Sequence, residues 1–220
     1  MISDRTIRVG GVVDDTVAEG PGRRFAVWVQ GCSIRCPGCF NPHLWGAKGG
    51  TGVGAAELAE RALAVPGIDG VTLLGGEPFE QARPLADFAS RLAAQGLSVM
   101  TFSGFTYREL SGAGAPDGAA ELLSATDLLV SGPYLSGQPD FRRPWVGSTN
   151  QEFHFLTDRL RHVEAGLADL PDRIEVRVTA SGEVTVNGWA DLDQLDTLLA
   201  DDFRRVPKTV GRLGSRDPAS

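Results

Sequence analysis

The sequence predicts an α/β fold built on a mostly parallel sheet. Short apolar runs of strand length alternate with helical stripes along the chain, the pattern of βαβ units. Apolar residues make up 42% of the 220 residues and charged residues 22%, ordinary globular usage that excludes a wholly disordered or fibrous chain. A chain of this length buries roughly 70% of the surface it exposes when unfolded and needs no staples. One domain is expected over residues 1–208, with a frayed tail at 209–220.

Each element follows from local pattern. Thr6–Val13 reads as a first strand, Gly20-Pro21-Gly22 as a turn, and Phe25–Gln30 as an apolar strand. Residues 46–52 are rich in small residues and read as a loop. Ala55–Ala64 reads as a helix and Gly70–Leu74 as a short buried strand closed by Gly75-Gly76. Pro84 suits the first turn of a second helix, whose Leu85, Phe88 and Leu92 share one face. Leu97–Phe102 is the next strand. Thr106 and Glu109 have the spacing of a capping box that opens a short helix. Asp127–Val130 is a further buried strand, followed by a Gly/Pro-rich loop at Ser131–Pro144. Ile174–Val178 and Glu183–Val186 flank Ala180-Ser181-Gly182 as a hairpin. Asp191 and Gln194 cap a last amphipathic helix with Leu192, Leu195, Leu199 and Phe203 on its stripe.

A formal net charge of −7 lacks the basic footprint of a nucleic-acid binder. No apolar run approaches the roughly 20 residues of a membrane span. Met1–Arg5 carries no signal-peptide core, so a cytoplasmic protein is expected.

The cysteines are the sharpest feature. All three lie in Gly31-Cys32-Ser33-Ile34-Arg35-Cys36-Pro37-Gly38-Cys39-Phe40-Asn41, spaced C-x3-C-x2-C. An odd count with none elsewhere leaves no disulfide framework. Three thiolates in one tight loop suit three irons of a cubane cluster, leaving the fourth iron open for a ligand. Two other readings stand beside this one. His43 could complete a Cys3His zinc set, or three buried cysteines could simply share a loop. A second motif, Gly75-Gly76-Glu77-Pro78, closes the strand Val71–Leu74. Its glycines let backbone approach a ligand closely and its carboxylate sits at the corner of a turn; the same four residues also suit a plain strand-to-helix turn. In a parallel sheet both motifs fall at the carboxyl ends of strands, where such folds place their chemistry.

On these residues the chain resembles the radical S-adenosylmethionine (radical SAM) family. The longer string from Glu19-Gly20-Pro21-Gly22-Arg23 through Cys36-Pro37-Gly38-Cys39-Phe40-Asn41 is similar to the activating enzymes of glycyl radical proteins, and within them to those of the anaerobic ribonucleotide reductase. The resemblance implies a [4Fe–4S] cluster held by Cys32, Cys36 and Cys39, with S-adenosylmethionine as cofactor. It implies that Gly75, Gly76 and Glu77 meet the methionyl amino group. Gly38 and Phe40 are then near the adenosyl part, and Ser103, in a segment similar to the family's Thr-Gly-Tyr, meets the carboxylate. Ser131 stands where an acidic residue is common, while Asn150 and Gln151 are candidate polar neighbours. His154 and His162 read as surface or packing residues.

The implied reaction is reductive cleavage of S-adenosylmethionine to a 5′-deoxyadenosyl radical. A one-electron donor such as flavodoxin or ferredoxin supplies the electron, and a large glycyl radical protein is a possible target. No protein acid–base pair is needed for the cleavage. Since 220 residues fall short of the ~250 of a full barrel, a partial (β/α)6-type TIM barrel is expected. Its open side would admit a loop of the partner past Phe105, Tyr107 and Trp45. A radical SAM enzyme acting on a peptide or small metabolite is the alternative, and a non-catalytic zinc or iron–sulfur module is a third reading.

Overall fold

A computed structural model describes residues 5–170, 174–178, 182 and 184–188. The first strand, β1 (Thr6–Thr16), lies antiparallel to β2 (Arg24–Val29), whose six residues are all buried. β3 (Thr51–Gly54) adds antiparallel to the outer edge of β1. It falls where the sequence pattern shows only a glycine-rich loop. Gly54 then hands the chain to helix α1 (Ala55–Leu63), which buries Ala55, Leu58, Ala59 and Ala62 at helical spacing.

β4 (Gly70–Gly75) pairs parallel with β2, and β5 (Ser98–Ser103) parallel with β4. Between them runs α2 (Ala82–Ala93), which buries Leu85, Phe88 and Leu92 as its stripe predicts. The capping box is present: the Thr106 side chain accepts from the Glu109 N–H, and Glu109 accepts from the Thr106 N–H, opening α3 (Tyr107–Ser111). The short α4 (Ala119–Ser124), absent from the sequence reading, leads to β6 (Leu128–Ser131), parallel to β5. β7 (Glu152–Phe155) closes the sheet antiparallel to β6. β8 (Ile174–Val178) and β9 (Val184–Gly188) form the expected hairpin. It docks on the turn after β1, where the buried Glu19 carboxylate accepts from the Gly188 N–H at 2.7 Å. The expected helix at Asp191 and the tail at 209–220 lie outside the described residues.

The sheet order is β3-β1-β2-β4-β5-β6-β7. The α/β class and a parallel centre are as expected. The parallel strands are four, β2, β4, β5 and β6, rather than six, and the flanking strands are antiparallel. The main core joins β1, β2 and β4 to α1 and α2 through Ile7, Phe25, Val27, Leu58, Leu73, Leu85 and Phe88. Burying each such side chain contributes about 1.5–3 kcal/mol. Among the described residues no helix is long and apolar enough to cross a membrane.

Candidate active site

The carboxyl ends of β2, β4 and β5 are neighbours in the sheet, and each carries one predicted motif. After β2, the chain enters the cysteine loop. Gly31 donates to the Leu44 carbonyl at 2.8 Å and Cys32 to the Trp45 carbonyl at 3.2 Å, so the loop folds back on itself. A 3-10 turn at Pro42–Leu44 makes that return, and buried Leu44 anchors it against Ala26 and Trp28. Gln30 Nε2 donates to the Gly46 carbonyl at 2.6 Å and holds the far side.

Backbone N–H groups face the sulfurs. Those of Arg35 and Ile34 serve Cys32, that of Tyr134 serves Cys36, and that of Asn41 lies 3.4 Å from Cys39 Sγ. All three cysteines are free and half-buried. Burial pushes the Cys32 and Cys36 thiols up, outweighing those N–H groups. Soft thiol donors, amides aimed at sulfur and a loop able to desolvate its contents fit an iron–sulfur cluster, whose irons supply the opposing charge. His43 is exposed and its carbonyl accepts from Gln30 Nε2 at 3.4 Å. Among the described residues no three His, Cys, Asp or Glu side chains converge to hold a single metal ion.

The turn after β4 braces this loop. Gly75 has φ 104, a conformation that glycine adopts without steric cost. Gly76 donates to the Val29 carbonyl and Glu77 to the Gly31 carbonyl, both at 2.8 Å. A Cβ on Gly76 would lie 2.1 Å from the Gly31 carbonyl oxygen. The space that this glycine leaves is therefore filled by the protein's own backbone. Glu80 Oε1 accepts from the Ser33 N–H at 2.7 Å and from its Oγ at 2.5 Å. Gln81 bonds the Arg8 backbone in both directions and donates to the Gln30 carbonyl.

Glu77 is 1% exposed. Its Oε1 accepts from the Phe79 N–H at 3.0 Å and from Ser103 Oγ at 2.9 Å, and its Oε2 from the Gly104 N–H at 2.8 Å. Burial pushes its carboxyl up to about 7, against the pull of those three bonds. Glu77 and Ser103, read from sequence as two separate contacts, are thus brought together. Gly38 lies against Tyr134 and Ser136, and Phe40 meets Tyr134 edge-on at 5.5 Å between centroids. The loop after β6 therefore packs on the cysteine loop.

The remaining rim differs in detail from the sequence reading. Phe105 packs against the main core rather than standing at a mouth. Tyr107 is exposed and stacks on His154 at 4.6 Å. His154, read as a bystander, has Nε2 2.8 Å from buried Ser131 Oγ, and burial lowers its basicity. His162 is exposed. Gln151 Oε1 accepts from the Gly147 and Ser148 N–H groups, and Asn150 Nδ2 donates to the Pro133 carbonyl. Glu80, Gln81 and Gln30 were missed, although Glu80 and Gln81 directly follow the Gly-Gly-Glu-Pro turn.

Against known proteins, residues 18–154 match a family model described as a 4Fe-4S single cluster domain. The chain belongs to the 4Fe-4S single cluster domain family. It is a radical SAM protein, and its cofactors are a [4Fe–4S] cluster and S-adenosylmethionine. The anaerobic ribonucleoside-triphosphate reductase-activating protein of Vibrio cholerae is 29% identical over 150 residues, covering 64% of this chain and 93% of that protein. The protein of the same name from Enterobacteria phage T4 is 29% identical over 146 residues, covering 63% and 88%. The pyruvate formate-lyase-activating enzyme of Clostridium pasteurianum is 32% identical over 129 residues, covering 56% of this chain and 50% of that enzyme.

Proposed function

We propose that this member of the family is an activating enzyme that removes one hydrogen atom from a glycine Cα of a partner protein. One observation carries the reading: the cysteine loop, the Gly75-Gly76-Glu77 turn and Ser103 hang from three adjacent strand ends and are hydrogen-bonded to one another. The relatives named as activating proteins support the choice of target class.

In this reading Cys32, Cys36 and Cys39 hold the cluster. Gly75, Gly76 and Glu77 meet the methionyl amino group and Ser103 its carboxylate, with Gly38 and Phe40 beside the adenosyl part. With the cluster supplied with an electron by a one-electron donor, a flavodoxin or ferredoxin, cluster and cofactor together would provide the hydrogen-abstracting chemistry. The chain's own work is positional. Glu77 fixes the β5 turn through Ser103 and Gly104, and Glu80 fixes the cysteine loop through Ser33. Cross-braced strand ends of this kind keep reacting atoms within the ~3–3.5 Å that hydrogen transfer demands. In this reading residues 1–208 form one cytoplasmic radical SAM domain whose sheet, parallel over its four central strands, curves as a partial barrel open toward the partner.

The test is anaerobic reconstitution with iron and sulfide, followed by reductant and S-adenosylmethionine. Formation of 5′-deoxyadenosine is expected, and a glycyl doublet in electron paramagnetic resonance (EPR) once a co-encoded glycyl radical protein is added. Cofactor cleavage without a doublet on any such candidate, alongside turnover of a small peptide or metabolite, would overturn the target assignment. A colourless protein holding one zinc would overturn the whole reading.

A further inference from the structure

Buried N–H donors without an acceptor are rare in folded proteins, because each one forfeits a hydrogen bond that water would have made. Among the described residues two buried side-chain polar atoms have no partner: Trp45 Nε1 and Asn150 Oδ1. Asn150 is already tied down, since its Nδ2 donates to the Pro133 carbonyl at 2.7 Å. Trp45 is the more telling case. The indole N–H can only donate, so neither a hydroxyl rotation nor an amide flip can relieve it. Only an acceptor can.

The position of Trp45 says which acceptors are near. Its carbonyl receives the Cys32 N–H at 3.2 Å, and the preceding pair joins Gly31 to Leu44 at 2.8 Å. Trp45 and Cys32 are therefore direct backbone neighbours across the loop. The chain on both sides of Trp45 is pinned, by buried Leu44 on one side and by the Gln30–Gly46 bond on the other. Backbone amides already face each of the three cysteine sulfurs. No cysteine Sγ accepts from Trp45 Nε1, so the acceptors that the loaded site adds beside Cys32 are the inorganic sulfides of the cluster.

We propose that Trp45 Nε1–H donates a hydrogen bond to an inorganic sulfide of the cluster held at Cys32, and that this bond raises the cluster's reduction potential. The reduced cluster carries one more negative charge than the oxidised one, so an N–H donor favours it. Trp45 thereby tunes how readily the site accepts its electron. The inference concerns the cluster alone and is independent of the glycine target, so the failure of a partner assay leaves it standing.

Trp45→Phe keeps an aromatic ring at the position and removes the N–H donor together with part of the bicyclic indole, so a 15N measurement on native protein accompanies it. Native and variant proteins are reconstituted, assayed for iron, and titrated potentiometrically with EPR detection in the absence of S-adenosylmethionine. At fixed potential the variant should hold about tenfold less reduced relative to oxidised cluster, a midpoint about 59 mV more negative for one electron. Equal iron with an unchanged midpoint overturns the proposal while leaving the cluster in place. If the variant fails to retain iron, native protein labelled with 15N at its indoles decides. Electron–nuclear double resonance on the reduced cluster should show a 15N coupling, and its absence overturns the proposal. A native protein that binds no iron would overturn cluster and proposal together.

Discussion

Gly76→Ala should cost the protein its cluster rather than only its cofactor affinity. A Cβ at this position would lie 2.1 Å from the Gly31 oxygen and 2.9 Å from both the Gly31 carbon and the Val29 oxygen. Ordinary contact begins near 3.4 Å, so backbone on one side must retreat by more than 1 Å. Nothing in the way is a flexible side-chain tip. The retreat breaks two bonds that now close the site, Gly76 N–H to Val29 and Glu77 N–H to Gly31. Each is worth about 0.5–1.5 kcal/mol net, and forced overpacking adds about 1–3 kcal/mol. A total of about 2–6 kcal/mol is a large fraction of ordinary domain stability. Because Gly31 directly precedes Cys32, the displacement falls on a cluster ligand. Urea unfolding of the apoprotein and iron content after reconstitution are the readouts. Gly46→Ala is the control, since a Cβ there meets nothing within 4 Å. Native stability and native iron in Gly76→Ala would refute the reasoning, whatever happened to cofactor binding.

Two further outcomes follow from the same site. Cys36→Ala should lose most of its iron and all cofactor cleavage, and cleavage at the native rate would remove Cys36 from the ligand set. Glu77 carries a pH signature: its carboxyl rises from 4.5 unfolded to about 7 folded, so between those values the folded protein binds more protons than the unfolded one. Its contribution is therefore fully present below about pH 4.5 and is lost as pH rises through 7, about 3 kcal/mol across the window. Glu77→Gln should flatten that dependence in urea midpoints of the apoprotein measured from pH 4.5 to 7.5. An identical slope in both proteins would contradict the buried carboxylate.

The legible parts of the fold were the apolar runs of strand length, which prove to be buried almost throughout, and the helices with a clear stripe or cap. α2 was visible because Leu85, Phe88 and Leu92 repeat at helical spacing, and α3 because Thr106 and Glu109 cap each other. β3 was hidden because Thr51-Gly52-Val53-Gly54 has one buried side chain, Val53, and owes its state to pairing with β1. β7 and α4 were hidden for a related reason. Four to six residues give too little periodicity, and tertiary pairing decides. The cysteine loop and the Gly-Gly-Glu turn were legible as residue types at a spacing. What the spacing could not carry was which polar groups already satisfy one another. Glu77 and Ser103 are 26 positions apart and bond only because β4 and β5 are neighbours.

That adjacency explains why the site survives its wide separation in sequence. From β2 to β4, β5 and β6 the chain returns each time to a parallel strand, advancing across the sheet in one direction. Each return places the next loop about 4.8 Å further along the same rim. The cysteine loop, the Gly75-Gly76-Glu77 turn and Ser103 are therefore consecutive in space while some 70 residues apart in the chain. Strand pairing alone would leave those loops free above the sheet. The turn after β4 removes that freedom. Within six residues, Gly76 and Glu77 reach back to β2 and Gly31, Glu77 forward to Ser103 and Gly104, Glu80 to Ser33, and Gln81 to Arg8 and Gln30. Substitutions in Gly76–Gln81 should therefore disturb the neighbouring loops as well as the turn itself, and the short string Gly-Gly-Glu-Pro-Phe-Glu-Gln acts as the brace of the rim.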